Sequence, residues 1–159
     1  MEFTFRIATA GDLDLLVETR LEVLSAVFGL SGHTDMEAVK AESRRYYSEN
    51  IASGGHVACL VFDGEDFAGC GGICLYRTMP MEYDPQALNG YIMNMYTRPQ
   101  YRRRGIATRV LEILIGQAHR KGVRKITLET TDAARSLYRK AGFTDITDEM
   151  VYHLDRNVL

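Results

Sequence analysis

The chain has 159 residues, of which 46% are hydrophobic and 25% charged, and its formal net charge is −2. This is the composition of an ordinary globular protein, and the length allows one substantial core. The net charge provides no global positive field for nucleic acid or an anionic membrane, and no apolar stretch reaches the ~18 residues of a membrane span. Residues 1–6 lack a signal-peptide pattern, so we expect one cytoplasmic domain over residues 1–159, without nucleic-acid or membrane partners.

Three cysteines, Cys59, Cys70 and Cys74, stand in apolar, strand-like stretches. Their odd number and the lack of a Cys-x-x-Cys pair argue against a disulfide framework or a zinc site. We expect buried, unreactive thiols, because free cysteine is among the most buried residue types. The four histidines show no ligand spacing, so no metal is expected.

The first half of the chain predicts a strand, two helices and a β-hairpin. Thr9 followed by Asp12 fits a capping box with Asp in place of Glu or Gln, which predicts a helix start. Apolar residues at helical spacing follow, and Asp63-Gly64 is a hairpin signal. The predicted elements are a strand from Phe3 to Ala8, helices from 13 to about 29 and from about 35 to 51, and strands from His56 to Phe62 and from Phe67 to Arg77.

The second half predicts a long strand followed by alternating helices and strands. Glycines at positions 69, 71 and 72 first predict a bulge or a close backbone approach. A loop over residues 78–89 follows, then a strand from Gly90 to Thr97, a helix from Ile106 to Lys121, a strand from Lys125 to Thr131, a helix from Ala133 to Ala141 with Asp132 as N-cap, and a terminal hairpin of 143–146 with 150–154. The order predicts an α/β fold, with a mixed, mostly antiparallel sheet of about seven strands and helices on both faces.

The segment from Tyr96 to Ala107 carries the clearest functional pattern, because a strand ends there, a basic turn follows and a helix begins. The first amides of a helix lack intrahelical partners and attract anions. Gly105 permits a close backbone approach, and Arg102–Arg104 add charged donors for phosphate. A Walker P-loop and a Rossmann turn both need residues that are absent here. The alternatives are therefore a phosphate site and a plain solvated turn.

Two motifs, in this order, resemble the GNAT superfamily of acetyl-CoA-dependent N-acetyltransferases. Arg102-x-x-Gly105-x-Ala107 matches the family pattern Arg/Gln-x-x-Gly-x-Gly/Ala after a strand. The segment from Ala134 to Phe143 matches the pattern Ala-x-x-Leu-Tyr-x-x-x-Gly-Phe. The resemblance is sharp from Gly90 to Phe143 and loose before it. It implies the acyl-CoA N-acyltransferase fold, with a sheet splayed in the middle, and acetyl transfer to a primary amine.

The resemblance also implies a coenzyme site on the strand and the turn. In the family, the turn holds the pyrophosphate of coenzyme A, and the strand pairs with the pantetheine arm through its backbone. An amide of Met95 or Tyr96 would polarise the thioester carbonyl. The residues that the resemblance assigns to acetyl-CoA are Met95, Tyr96, Thr97, Arg102, Arg103, Arg104, Gly105, Ile106, Ala107, Thr131 and Ala134.

For catalysis, Tyr138 matches the family tyrosine that protonates the departing thiolate, and packing of its ring on the sheet is the alternative. Thr131 stands where many members carry Asn. The strand from Tyr91 to Thr97 lacks the carboxylate that often serves as base. Glu129, Glu82 or a water held by Tyr91, Asn94 or Tyr96 could take that role. The implied reaction is direct attack of the amine, without a covalent enzyme intermediate.

The acceptor is expected to be a small-molecule amine bound by the first two helices and the 78–89 loop. Tyr91, Asn94 and Glu82 are its candidate contacts, while Tyr46 and Tyr47 could contact it or pack. Acetylation of a protein N-terminus or lysine, and a non-catalytic coenzyme A-binding module, stay open as alternatives. The net charge disfavours a tRNA substrate. Whether the chain forms a homodimer also stays open.

Overall fold

The computed structural model describes residues 2–155, and their contacts divide the chain into two units that meet in the sequence at Glu129 and Thr130. The first unit contains five strands and three helices: β1 (Thr4–Ile7), α1 (Leu13–Phe28), α2 (Glu37–Ser53), β2 (His56–Asp63), β3 (Asp66–Arg77), β4 (Leu88–Thr97), α3 (Ile106–Arg120) and β5 (Lys125–Leu128). The second contains α4 (Asp132–Lys140). The expectation of a single domain stays a prediction.

The five strands form one sheet in the order β1-β2-β3-β4-β5. The first four are antiparallel to their neighbours, whereas β4 and β5 are parallel. A parallel pair needs a long crossover, and α3 provides it. The predicted mixed, mostly antiparallel sheet is therefore confirmed.

Helices cover both faces of the sheet. Leu16 and Val17 of α1 and Tyr47 of α2 pack with Ala58 and Leu60 of β2 in one core. On the other face, α3 presents Val110 and Leu114, which lie so close to Gly71 that a Cβ there would clash with them. Glycine at position 71 thus lets α3 approach the sheet.

A bulge interrupts β4 in its middle. Gly72 pairs with Met93 and Cys70 pairs with Tyr96, so Asn94 and Met95 together stand opposite Gly71. Asn94 has a φ of 61°, in the left-handed region that asparagine tolerates better than most residues. The bulge predicted from the glycines of β3 is confirmed, and the structure places its extra residue on the partner strand.

The separation of β4 from β5 begins at the same place. Their pairing runs from Asn89 with Lys125 to Ile92 with Leu128, and within residues 2–155 no strand pairs with the far side of β4 beyond Ile92. The splay implied by the family resemblance is thus present in the first unit.

The sheet has five strands within the described residues, not about seven, because the predicted terminal hairpin is wrong. Residues 143–146 form no strand, and the side chains of Arg135 and Arg139 in α4 instead hold Asp145 by ion pairs. Residues 150–154 form no strand either, and Met150 and Leu154 are fully solvent-exposed. An isolated strand without a ladder partner is not stable.

Two boundaries near the second motif also differ from the prediction. The strand predicted to reach Thr131 ends at Leu128. Thr131, not Asp132, is the N-cap of α4, because its backbone is extended and its carbonyl accepts the amides of Ala134 and Arg135. Asp132 is the first helical residue, where a carboxylate favourably faces the helix dipole. Over the described part of the chain, no helix is both long and apolar enough to cross a bilayer.

Candidate active site

The turn after β4 leads into the amino end of α3 and contains backbone in the left-handed region, which few residue types tolerate. Pro99–Tyr101 form a short 3-10 turn, and Arg103 and Gly105 have φ values of 60° and 80°. Gly105 is the N-cap of α3, and a Cβ built on it would meet nothing within 4 Å. The space in front of this residue is therefore open, as approach by a ligand requires.

The amino end of α3 offers free amides to that space. The first intrahelical bond runs from the Arg109 amide to the Gly105 carbonyl at 3.1 Å, so the amides from Ile106 to Thr108 have no partner in the helix. In the described chain, neither a capping side chain nor an acidic residue occupies this first turn. Its partial positive charge is thus left uncompensated.

The three arginines of the turn are exposed but differ in their surroundings. Arg102 donates from Nε to the Thr97 carbonyl at 3.1 Å, which leaves its terminal nitrogens available. Arg104 lies over the ring of Phe3, with its guanidinium carbon 4.5 Å from the centroid. Arg103 has no ion pair within residues 2–155.

The bulged end of β4 is anchored to α1 on one side of the sheet. Arg98 forms a fork with Glu22 through two hydrogen bonds of 2.8 Å. The Arg98 guanidinium holds the pKa of Glu22 below its ordinary value. Arg20 Nη1 donates to Asn94 Oδ1 at 3.0 Å. Together these bonds fix the strand on either side of Met95–Thr97, whose far edge has no strand partner in the described chain.

A cavity of about 290 Å³ opens beside the bulge, on the face covered by α1 and α2. Its lining includes residues from both helices and from β2, β3 and β4: Arg20, Tyr46, His56, Cys74, Met93 and Asn94. Its volume lies near the lower end of the range for small-molecule pockets.

A polar cluster lines part of this cavity. Tyr46 Oη lies 2.8 Å from His56 Nδ1 and 3.2 Å from Cys74 Sγ. Burial, with a smaller effect of the Arg20 charge, lowers the pKa of His56 to about 4, so its ring is neutral at pH 7. Burial raises the pKa of Tyr46 well above its ordinary value and that of Tyr47 to about 12. Both phenols are therefore protonated at neutral pH.

The thiols follow the sequence expectation only in part. Cys59 and Cys70 are buried, and burial raises their pKa values to about 11 and about 12. Thiols of this kind are poor nucleophiles at neutral pH. Cys74 was expected to be buried, but it is half-buried because it lines the cavity.

The candidate bases lie in different places. The pKa of Tyr91 on β4 is raised first by burial and then by the charge of Glu129, which stands just beyond β5. Glu129 itself is solvent-exposed. Glu82 is an exposed residue of the β3–β4 loop and is not among the residues that line the cavity.

The remaining candidates belong to the second unit. Tyr138 is buried and its ring meets Phe143 edge-on, with centroids 5.9 Å apart. Burial raises the pKa of Tyr138 above its ordinary value. Thr131 is exposed at the start of α4, and Ala134 lies half-buried in its first turn.

Comparisons with known proteins agree with this geometry. The pattern of the Acetyltransferase (GNAT) family matches residues 25–143, so the chain belongs to that family. It is 32% identical to the uncharacterized N-acetyltransferase YsnE of Bacillus subtilis (strain 168) over 52% of both chains. It is 31% identical to the uncharacterized N-acetyltransferase YedL of Escherichia coli (strain K12), over 60% of this chain and 57% of that one. The matched part thus spans little more than half of each relative.

A solved structure extends the similarity to almost the whole chain. A predicted acetyltransferase from Clostridium acetobutylicum, crystallised with acetyl-CoA, is 28% identical and superposes with a TM-score of 0.84. The superposition covers 96% of this chain and 97% of that one.

The residues present here fit acetyl-CoA. Its pyrophosphate needs an anion site open to solvent, and the uncapped start of α3 behind Gly105 provides one. Its amide-bearing arm needs a free strand edge, which β4 has beyond Ile92 within residues 2–155. Exposed arginines adjoin both features.

Sequence reasoning did not single out the polar cavity residues Arg20, His56 and Cys74. A signal for Arg20 existed: it lies four residues after Leu16 and three after Val17, so it shares the inward face of α1. The signal for His56 is that side chains two residues apart on a strand share a face, so His56 lies on the same face of β2 as the core residues Ala58 and Leu60. Cys74 reaches Arg20 and His56 only when the chain folds.

Proposed function

We propose that this protein is an acetyl-CoA-dependent N-acetyltransferase that acts on the primary amine of a small metabolite. The observation that carries the proposal is the uncapped start of α3 behind Gly105, directly after the part of β4 whose far edge has no partner strand within residues 2–155. Family membership supports the reaction class. The small volume of the cavity supports a small acceptor over a protein tail.

The coenzyme would be held by two adjoining elements. The amides of Gly105, Ile106 and Ala107 would bind its pyrophosphate, helped by Arg102 and Arg103. Met95, Tyr96 and Thr97 would bind its arm through the free backbone edge of β4. Acetyl-CoA, when bound, supplies an activated acetyl thioester.

The reaction needs a base and an acid, and one residue is proposed for each role. An alkylammonium must lose a proton before it can attack, and Glu129 Oε, whose charge raises the pKa of Tyr91, is the proposed acceptor of that proton. Tyr138 Oη is the proposed donor to the leaving sulfur, a role that its raised pKa supports by keeping it protonated.

Direct attack by the amine is the proposed route. A covalent enzyme intermediate would need an ionised nucleophile, and burial raises the pKa values of Cys59 and Cys70 far above neutrality. Cys74 accepts a hydrogen bond from the Tyr46 hydroxyl, and its other polar neighbour, His56 Nδ1 at 3.6 Å, is a weak base because burial lowers the pKa of His56 to about 4.

The test is calorimetric titration with acetyl-CoA, followed by a thiol-release assay with a panel of primary amines. We expect micromolar binding of acetyl-CoA and amine-dependent release of free thiol. Absence of binding would overturn the proposal, whereas binding without thiol release for any amine would support a non-catalytic coenzyme-binding module.

A further inference from the structure

Arg20 is a cation with unused donors inside a largely apolar cavity. A guanidinium has five N–H donors, and only the bond from Nη1 to Asn94 Oδ1 engages Arg20 in the described chain. Arg20 also forms no ion pair within residues 2–155. By contrast, Arg98, on the same face, has its fork filled by Glu22. The fork of Arg20 is left free for an external partner.

Asn94 fixes the direction of this guanidinium. Its amide nitrogen lies 3.6 Å from Cys70 Sγ, so its oxygen faces Arg20. The residue is also held in the bulge by its left-handed backbone and by the Cys70 thiol, which contacts its carbonyl at 3.3 Å. An arginine pinned in this way loses little further conformational entropy when it binds a planar anion.

The other residues that line the cavity leave the charge of Arg20 unbalanced. The positive charge of Arg20 is felt by His56, Tyr46 and Tyr47, all of which are neutral at pH 7. Glu42 is the one carboxylate that the cavity lining contains, and it is solvent-exposed. The field inside therefore favours an anionic group.

The apolar lining of the cavity favours a particular kind of molecule as the carrier of that anionic group. Val39, Met93 and the ring of Tyr46 give the cavity an apolar surface. A volume of about 290 Å³ admits a molecule of amino-acid size with an aliphatic or aromatic body. Polycationic amines are disfavoured, because they would bring further positive charge to Arg20.

From this juxtaposition we infer that the acceptor is a primary amine that also carries a carboxylate and an apolar body, and that Arg20, braced by Asn94, binds the carboxylate. The inference rests on the proposed function and deepens it. Two parallel N–H···O bonds from the guanidinium would orient the molecule. Because Asn94 belongs to the β4 bulge, the amine would be directed toward the strand edge proposed for the thioester.

The test compares three amines with one aromatic body: phenylalanine, phenylalaninamide and phenethylamine. Each is assayed by thiol release at saturating acetyl-CoA with wild type, Arg20→Gln and Arg20→Lys. The matched control is Arg44→Gln, because Arg44 pairs with Asp14 on the surface and does not line the cavity. The readout is the ratio of wild-type to variant kcat/KM for each amine, which removes differences in intrinsic amine reactivity.

We expect Arg20→Gln to lower kcat/KM about tenfold to a hundredfold for phenylalanine, mainly through KM, and to leave the other two amines within about twofold. Arg20→Lys should recover part of the loss, and Arg44→Gln should change none of the three. An equal loss for all three amines, or wild-type preference for phenethylamine, would overturn the inference.

A binding assay decides the case in which none of the three amines is acetylated. N-acetylphenylalanine, with coenzyme A present, should then raise the melting temperature of wild type and not that of Arg20→Gln. Equal shifts, or no shift in either protein, would overturn the inference. Failure of the proposed function is distinct, since it would appear as loss of acetyl-CoA binding in wild type.

Discussion

Tyr46 Oη and His56 Nδ1 lie 2.8 Å apart in the lining of the cavity, and this contact joins α2 to the first residue of β2. The rings meet nearly perpendicular, with their centroids 5.3 Å apart. His56 is buried, and a Cβ on Gly72 would strike its ring. The fold thus encloses this imidazole in its neutral form.

Stability should depend on pH because of His56. Its pKa falls from 6.5 to about 4 on folding, so between these values the unfolded chain binds more protons than the folded one. The contribution of neutral His56 to the free energy of unfolding should therefore be complete above about pH 6.5. It should decline by up to about 3 kcal/mol as the pH falls to 4. Urea unfolding at several pH values measures this slope.

The control for this prediction is a pair of histidine variants. His56→Gln should remove most of the slope, whereas His33→Gln, in the exposed α1–α2 loop, should keep it. A slope that survives His56→Gln would assign the pH dependence to other groups.

Gly105 should be sensitive to substitution for a backbone reason. With a φ of 80°, alanine there would cost about 1 kcal/mol of stability. It would also place a methyl group where the ligand approaches, so we expect acetyl-CoA to bind at least about tenfold more weakly to Gly105→Ala. Calorimetric titration measures the affinity.

A second glycine in the same helix gives the matched control. Gly116 is in the interior of α3, and a Cβ there would make only ordinary contact with the Arg120 side chain. Gly116→Ala should therefore stabilise the protein by about 0.5–1 kcal/mol and leave acetyl-CoA affinity unchanged. Equal affinities for the two variants would contradict the role of Gly105.

The three arginines of the turn should contribute unequally to coenzyme binding. Arg102 and Arg103 present free terminal nitrogens, whereas Arg104 is stacked on Phe3. We expect Arg102→Ala and Arg103→Ala each to weaken acetyl-CoA binding about tenfold, and Arg104→Ala by less than about threefold. Titrations at two salt concentrations test this order, since the two larger losses should shrink as salt rises.

Local patterns predicted most elements of the first unit. The helical period of α3 and the glycine after it fixed its bounds to within one residue, and the Asp63-Gly64 signal placed the β2–β3 turn. Thr9 and Asp12 were also interpreted correctly: the Thr9 amide donates to Asp12 Oδ2 at 2.8 Å. These features depend on neighbours within a few residues, which a sequence displays directly.

Features that depend on distant contacts were not predictable in the same way. Residues 150–154 were predicted to form a strand, but a local pattern does not supply a ladder partner. The bond between Arg20 and Asn94 joins residues 74 positions apart, so their meeting follows from how α1 lies on the sheet. The same holds for His56 and Cys74, 18 positions apart.

Glu129 is the proposed base, and its removal should affect the reaction without affecting coenzyme binding. Glu129→Gln keeps the size of the side chain but cannot accept a proton. We expect kcat/KM for the amine to fall about a hundredfold with acetyl-CoA affinity within twofold of wild type. The control is Glu65→Gln in the exposed β2–β3 turn, which should have wild-type activity. Full activity of Glu129→Gln would exclude it as the base.

Tyr138 is the proposed acid, and Tyr138→Phe removes only its hydroxyl. The edge-on contact with Phe143 needs the ring alone, so the variant should keep its stability. Because burial keeps the phenol protonated, it can donate at neutral pH, and its loss should lower kcat about a hundredfold with acetyl-CoA affinity unchanged. Tyr152→Phe is the matched control, since Tyr152 is exposed in the same unit. A Tyr138→Phe enzyme with wild-type kcat at saturating amine would assign the residue to packing, because only a proton donor needs the oxygen.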